Sequence, residues 1–392
     1  MIDWQEARAR ILALGAPVGS ETLSLAKAAG RWAAADVVAQ RTQPARDLSS
    51  MDGYAIRFDD LPGPWRVVGT AAAGAPYAGS VRDGEAARIF TGAALPDGSD
   101  TVIIQEDVSR DGDTIASSGE RPAIRAAHVR PAGSDFSAGQ VLIAAGARLT
   151  PARIGLAAAG GHGNLSVARR VRVALLSTGD ELVPPGVEAS DDRLPDANGA
   201  MLAALLSGLP VDVIDLGIVP DAAKALASAF ARASDFDILL TSGGASVGDH
   251  DLVRPALLAA GASIDFWKVA MRPGKPLMAG TLGTCVVLGL PGNPVSAFVT
   301  AMLFLKPLAA QLSGAAEPLP PMIAAELAAP LPEVGARTDF VRARWERGRL
   351  VPLLSTDSGA LAPLALADAL IMRAAGSAAV NASAHVEAIL LD

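Results

Sequence analysis

The sequence predicts a multidomain chain of α/β and β class. A central, mostly parallel three-layer α/β domain follows a β-rich N-terminal region and precedes a small C-terminal β domain. Three observations carry this reading. The 392 residues exceed what one ordinary core supports. From Val171 onward, apolar strand-like runs alternate with helical patterns, as in a parallel sheet covered on both faces. From Gln40 to about Gly146, short β-type runs alternate instead with Gly, Pro and Asp turns.

Taken in chain order, Trp4, Ala7, Ile11 and Leu14 recur at helical spacing, and Gly15 ends the run. Trp65 to Val68, Ala87 to Phe90, Thr101 to Ile104 and Ala123 to Val129 read as strands of the β-rich region. Thr150-Pro151 offers an N-cap and a first-turn proline for a helix that Gly160-Gly161 stops. Val171 to Ser177 is a continuous apolar strand. Asn198 is expected to cap a helix to about Leu206, and Asp221 one to about Ala233. Val211 to Leu216, Asp237 to Thr241, Ile264 to Val269 and Cys285 to Leu288 read as further strands, with helices ending near Ala259 and following Pro294. Gln311 to Pro321 reads as a linker. Phe340 to Trp345 and Ala384 to Leu391 are strand-like pieces of the C-terminal domain. The expected division is 1–45 with 141–169 as a helical linking domain, 46–140 as the β-rich domain, 170–312 as the α/β domain and 320–392 as the C-terminal β domain.

Apolar residues make up 51% and charged residues 19%, which is globular composition. The net charge of −8 argues against a nucleic-acid coat, because phosphate backbones need a basic face. It leaves room for a local basic pocket. A single cysteine, Cys285, permits no intramolecular disulfide and fits a reducing compartment. Its apolar neighbours mark it as buried filler. The start lacks the basic and apolar regions of a signal peptide. The longest lipophilic helix, Val295 to Leu305, is expected to stop at Lys306-Pro307, too short for a bilayer, so no membrane association is expected. His128, His162, His250 and His385 show no zinc-type spacing.

Four loops at strand ends can carry chemistry, since ligands of such sheets bind at the carboxyl ends of strands. Thr178-Gly179-Asp180-Glu181 places two adjacent carboxylates there. They can coordinate Mg2+ or orient water, or form a solvated turn with Asp180 as a helix cap. Ser242-Gly243-Gly244, running on to Asp249-His250-Asp251, lets backbone N–H groups approach an anion. Carboxylates beside phosphate repel it unless a divalent cation intervenes, so this loop suggests phosphate with Mg2+; an ordinary glycine turn is the alternative. Lys268, Arg272 and Lys275 bring three cations within eight residues, for an oxyanion or as a basic surface turn. Pro291-Gly292-Asn293-Pro294-Val295-Ser296 presents a helix N-terminus to an anion, or is a rigid turn.

Together these segments resemble the molybdopterin molybdenumtransferase family, the group that includes the E domain of gephyrin. The resemblance runs in order through Met51-Asp52-Gly53-Tyr54-Ala55, Phe90-Thr91-Gly92, Arg130-Pro131-Ala132-Gly133-Ser134-Asp135, Ser177-Thr178-Gly179-Asp180-Glu181-Leu182, the Ser242 to Asp251 loop, Arg272-Pro273-Gly274-Lys275-Pro276 and Leu290-Pro291-Gly292-Asn293-Pro294. It implies an elongated, four-part subunit, a homodimer with a shared cleft, cytoplasmic residence, and a reaction in which adenylylated molybdopterin and molybdate give molybdenum cofactor and AMP with Mg2+. By position it implies Asp52, Asp135, Glu181, Asp221 and Asp251 as catalytic residues, with Glu181, Asp221 and Asp251 holding the metal. Thr91, Arg130, Lys268, Arg272, Pro291 and Pro294 are implied as ligand-binding, and Ser242, Gly243, Gly244, Lys275 and Ser296 are expected to join them from the loop chemistry above. Position 272 is Arg where many relatives carry Lys, and both are cationic. Molybdopterin adenylyltransferase and molybdoenzyme apoproteins are the implied protein partners. Two alternatives are an adenylyltransferase, against which the flanking domains argue, and a non-catalytic scaffold, against which the retained acidic and basic loop residues argue.

Overall fold

The computed structural model describes residues 1–188, 190–244, 252–353 and 355–391. Helix α1, Trp4–Leu14, forms where the periodicity places it. Asp3 caps it by accepting from the Gln5 and Glu6 N–H groups, and Trp4, Ala7 and Ile11 are buried. That buried face shares its core with Trp32 of the adjoining segment but lies mostly against the α/β part. It joins the largest core cluster, with Val171, Leu202, Leu288 and Leu308, and Trp4 meets Phe340 edge-on at 5.2 Å.

The β-rich region is a six-stranded sheet of β1 (Gly53–Ile56), β2 (Trp65–Ala71), β3 (Glu85–Ile89), β4 (Thr101–Ile104), β5 (Val108–Asp111) and β6 (Thr114–Ser117), in the order β4-β1-β3-β2-β6-β5. Alternation along β1 sends Tyr54 and Ile56 to one small core and Ala55 to another. Ala123 to Val129 is not a strand. Only Val129–Arg130 pairs, with Leu48–Ser49, and Ala126 and His128 adopt positive φ, which extended pairing excludes. Helix α2, Pro151–Ala159, begins as expected, with Thr150 accepting from the Arg153 N–H.

The α/β region comprises β7 (Val171–Thr178), α3 (Ala197–Leu206), β8 (Val211–Val219), α4 (Ala223–Phe230), β9 (Ile238–Ser242), α5 (Val253–Ala259), β10 (Ser263–Lys268), β11 (Pro276–Leu282) and β12 (Cys285–Leu290). The sheet order is β8-β7-β9-β12-β11-β10. The first four strands are parallel; β11 runs opposite to them, and β10, antiparallel to β11, runs with the first four again. β11 escapes sequence reading because Pro276 and Gly280 interrupt its pattern. It forms because Gly283 at φ 61 closes a two-residue hairpin onto β12. Since β8 and β9 lie on opposite sides of β7, the chain reverses direction across the sheet there, which opens a crevice at the strands' carboxyl ends.

The helix after Pro294, α6, does not stop at Lys306-Pro307. It runs from Pro294 to Leu312, 19 residues, through a wide π turn at Ala301–Leu305. The altered hydrogen-bond spacing just before Pro307 lets the helix accommodate a residue with no N–H. By length and composition α6 could cross a bilayer, yet 83% of its apolar window is buried in the protein. Cys285 is fully buried, and desolvation pushes its thiol up to about 12, so it is inert packing as expected.

The C-terminal sheet contains β13 (Met322–Glu326), β14 (Thr338–Glu346), β15 (Arg349–Pro352), β16 (Ala369–Arg373) and β17 (His385–Leu390). Its edge is completed by Met271–Arg272 from the cation-rich loop, which pairs in parallel with Thr338–Asp339.

Candidate active site

Three loops leave the carboxyl ends of β7, β9 and β12 and touch one another. Their approach depends on glycine. Gly243 has φ 92, and a Cβ there would collide with the Thr178 carbonyl oxygen. An added Cβ on Gly292 would lie 3.7 Å from Gly243 Cα. The Thr178 hydroxyl donates to Asp221 Oδ1, and the Asp221 N–H donates to Asp180 Oδ1 at 3.2 Å. Asp221 therefore does not cap α4, whose N-cap is Ala222; it faces the crevice beside Asp180. Glu181 is exposed on the same loop.

Asn198 is not a cap either. Asp196 takes that role, accepting from the Gly199 N–H at 2.9 Å. Asn198 lies inside α3, buried, and its Nδ2 donates to Ser242 Oγ at 2.9 Å and to the Gly292 carbonyl at 2.7 Å. A cavity of about 510 Å³ opens between Glu181, Asp196, Asn198, Pro291, Pro294 and Gly359. Pro291 is buried at its wall, and Ser296 is buried in the first turn of α6. The N-terminus of α6 is less open than its sequence suggests. The Val295 N–H donates to the Ser358 carbonyl, and Asn293 Nδ2 donates to Ser358 Oγ at 3.0 Å.

The cations have separate surroundings. Lys268 Nζ and the Arg254 guanidinium each sit 4.8 Å from the centre of the Trp267 ring. Lys275 is exposed. Arg272 is ion-paired with Asp339, whose side chain is only 8% exposed against 53% for Arg272. That pair borders a small, partly open cavity of about 110 Å³ which Arg342, Arg373 and Ser358 also line. Arg342 and Arg373 are both buried, and Arg342 donates to the carbonyls of Ser355, Asp357 and Ala360. Burial lowers the pKa of the Arg342 guanidinium. Sequence reading missed both arginines, although a cation inside the Phe340 to Trp345 strand pattern was a usable signal.

In the β-rich region Asp52 and Thr91 are brought together. Asp52 Oδ1 accepts from the Thr91 N–H at 2.7 Å and its hydroxyl at 2.8 Å. These bonds, with Arg88 nearby, hold the exposed carboxyl below its usual range. Arg88 donates to the Gly53 carbonyl and lies against the Tyr54 and Phe90 rings. Arg130 is exposed opposite Leu48, and Asp135 is exposed on a turn whose N–H donates to the Gln43 carbonyl. A cavity of about 300 Å³ lies beside this region, lined by Arg41, Arg46, Leu48 and Gly92; it shares no lining residue with the strand-end cavity. Asp249, His250 and Asp251 lie outside the described residues. Among the described residues, no group of three or more His, Cys, Asp or Glu converges as a metal cluster.

Comparison with known proteins covers nearly the whole chain. Residues 2–161 match the MoeA N-terminal region (domains I and II), 174–311 a probable molybdopterin binding domain, and 324–391 the MoeA C-terminal region (domain IV). The chain is 38% identical over 347 residues to a molybdopterin molybdenumtransferase of Haemophilus influenzae, covering 87% of this chain and 85% of that one. It is 30% identical over 406 residues to the protein so named in Staphylococcus aureus, covering 100% and 96%. The molybdopterin biosynthesis MoeA protein of Pyrococcus horikoshii superimposes with a TM-score of 0.87 at 26% identity, over the full length of both chains.

Proposed function

This chain belongs to the molybdopterin molybdenumtransferase family, and on that footing we propose that it inserts molybdate into adenylylated molybdopterin, giving molybdenum cofactor and AMP. The observation that carries the reading is the strand-end cavity between the loops after β7 and β12, which Glu181, Asp196 and Asn198 line on one side and Pro291 to Pro294 on the other, with Gly243 of the loop after β9 packed against both loops behind it. That arrangement suits a phosphoanhydride. Ser242, Gly243 and Gly244 allow close backbone approach to phosphate oxygens, and Pro291 and Pro294 hold the opposite wall rigid. Lys268 and Lys275 add positive potential at the adjoining strand end.

Glu181 and Asp221 are hard oxygen donors of the kind Mg2+ takes, and Asp251 completes the proposed set from outside the described residues. When bound, the ion would neutralise charge at the phosphates being cleaved. Thr178, by donating to Asp221, keeps one carboxylate oxygen occupied and fixes the direction of the other. Arg272, engaged by Asp339, contributes through the small arginine-lined cavity, whose size suits a tetrahedral oxyanion such as molybdate.

Asp52, Thr91, Arg130 and Asp135 stand on the separate β-rich sheet. In the proposed homodimer they wall the partner's strand-end cavity and exclude water from it. Cytoplasmic residence, the four-part domain division and contacts with molybdopterin adenylyltransferase and apoenzymes belong to the same reading; α1 then serves as a core helix of the α/β part. The test is an AMP-release assay with adenylylated molybdopterin. AMP released only when molybdate is added supports the reading. Consumption of ATP with free molybdopterin would make the protein an adenylyltransferase, and neither activity would leave a scaffold.

A further inference from the structure

We propose that Asn198 is a positioning residue that clamps the glycine-rich loop after β9 to the proline-rich loop after β12, and thereby sets the width of the substrate cavity. The clamp is a single side-chain amide. Both protons of its Nδ2 are used, one on Ser242 Oγ at 2.9 Å and one on the Gly292 carbonyl at 2.7 Å. Ser242 is the last residue of β9, in register with Leu290 at the end of β12, and Gly292 lies two residues beyond that end, so the amide ties the two segments where the parallel ladder stops. Each acceptor is flanked by glycine or proline, so the loops' own side chains offer little to hold them in register.

The chemistry requires an amide and a specific orientation of it. Asn198 is 9% exposed, and its Oδ1 is buried with no partner among the described residues. Rotating the amide by half a turn would aim Oδ1 at the Gly292 carbonyl, acceptor against acceptor, and bury two unused N–H donors. The observed orientation leaves only one acceptor unsatisfied. A carboxylate at this position could still accept from the Ser242 hydroxyl but would repel the Gly292 carbonyl. A helix cap would need neither property; Asp196, two residues earlier, already fills that role. The position of α3 follows from this: its first turn is held over the gap between the two loops, and Asn198 forms part of the cavity wall.

The functional part of the inference rests on the proposed transferase reading; the mechanical part does not, and the experiment separates them. Asn198→Ala removes both bonds, whereas Asn198→Asp is isosteric, keeps the Ser242 link and loses the Gly292 link. Amide hydrogen exchange is measured on the unliganded proteins. Faster exchange is expected at Gly243, Gly292 and Asn293 in Asn198→Ala, and only at Gly292 and Asn293 in Asn198→Asp. In the molybdate-dependent assay, Asn198→Ala should raise KM for adenylylated molybdopterin on the order of tenfold, the equivalent of one to two neutral hydrogen bonds. Its KM for molybdate should stay within about twofold under the same tenfold-per-1.4 kcal/mol scale. Exchange unchanged in both variants would overturn the clamp, as would a lowered melting temperature with KM unaltered. If Asn198→Ala does not fold, the isosteric Asn198→Asp decides through its exchange pattern. If the unaltered protein releases no AMP, the transferase reading fails while the exchange data still decide the clamp.

Discussion

Replacing Arg272 and Asp339 singly and together separates a structural role of Arg272 from a ligand-binding one. The two partners differ in burial: Asp339 keeps 8% of its side-chain surface and Arg272 keeps 53%. Arg272→Ala therefore strands a buried carboxylate, whereas Asp339→Asn leaves an arginine that water can solvate. Breaking a fully buried pair costs about 3–5 kcal/mol. Because Arg272 is half exposed, the pair is only partly desolvated, and we expect about 1.5–3 kcal/mol for Arg272→Ala. Asp339→Asn should cost no more than about 1 kcal/mol. For a cooperative unit of 150–250 residues, 2 kcal/mol corresponds to roughly 4–8 °C in melting temperature. The double variant should recover most of the stability lost in Arg272→Ala, since no buried charge remains. It should not recover molybdate affinity measured by isothermal titration, if Arg272 also serves the oxyanion. Equal destabilisation by the two single variants would refute the burial argument. Unchanged molybdate and pterin affinity in Arg272→Ala would refute the binding role and leave the residue as the ion partner of a neighbouring strand in the C-terminal sheet.

Three further outcomes are expected. Chelation with excess EDTA should abolish turnover, and Asp251→Ala should nearly do so in a folded protein; full activity in EDTA would remove the divalent ion from the scheme. Asp52→Ala and Asp251→Ala proteins, each inactive alone, should regain activity when mixed under conditions that exchange subunits; no recovery despite demonstrated exchange would place both residues in one subunit's cleft. The pH dependence of folding should show an acid limb owed to Asp237. Burial pushes its carboxyl up, but bonds from the Arg169 guanidinium and the Arg172 N–H outweigh that and hold it below the usual range. The contribution is thus present above the unfolded value of about 3.9 and lost as pH falls through the lower folded value. Denaturant titrations from pH 5 downward should show this loss in the unaltered protein and not in Asp237→Asn, and identical acid limbs would contradict it.

The sequence by itself determined the features that depend on near neighbours. The helical spacing of Trp4, Ala7 and Ile11, the cap at Thr150 and the apolar run from Val171 each concern residues within a few positions, where backbone geometry alone decides the outcome. The glycine-rich and proline-rich loops at strand ends were legible for the same reason, and so was the family. What side chains do across the fold was not. Asp196 and Asn198 are both good capping residues, and local rules cannot choose between them. The choice fell to Ser242 and Gly292, 44 and 94 positions away, which only an amide can hold together. Asp221 looked like a cap until Thr178, 43 positions earlier, supplied a better partner. Arg272 read as a cation for an oxyanion or a basic surface turn because its carboxylate, Asp339, lies 67 positions on, on a strand that comes beside it only in the folded chain. In each case the tertiary structure decided because a buried polar group must find a partner, and the nearest one in space was far away in sequence.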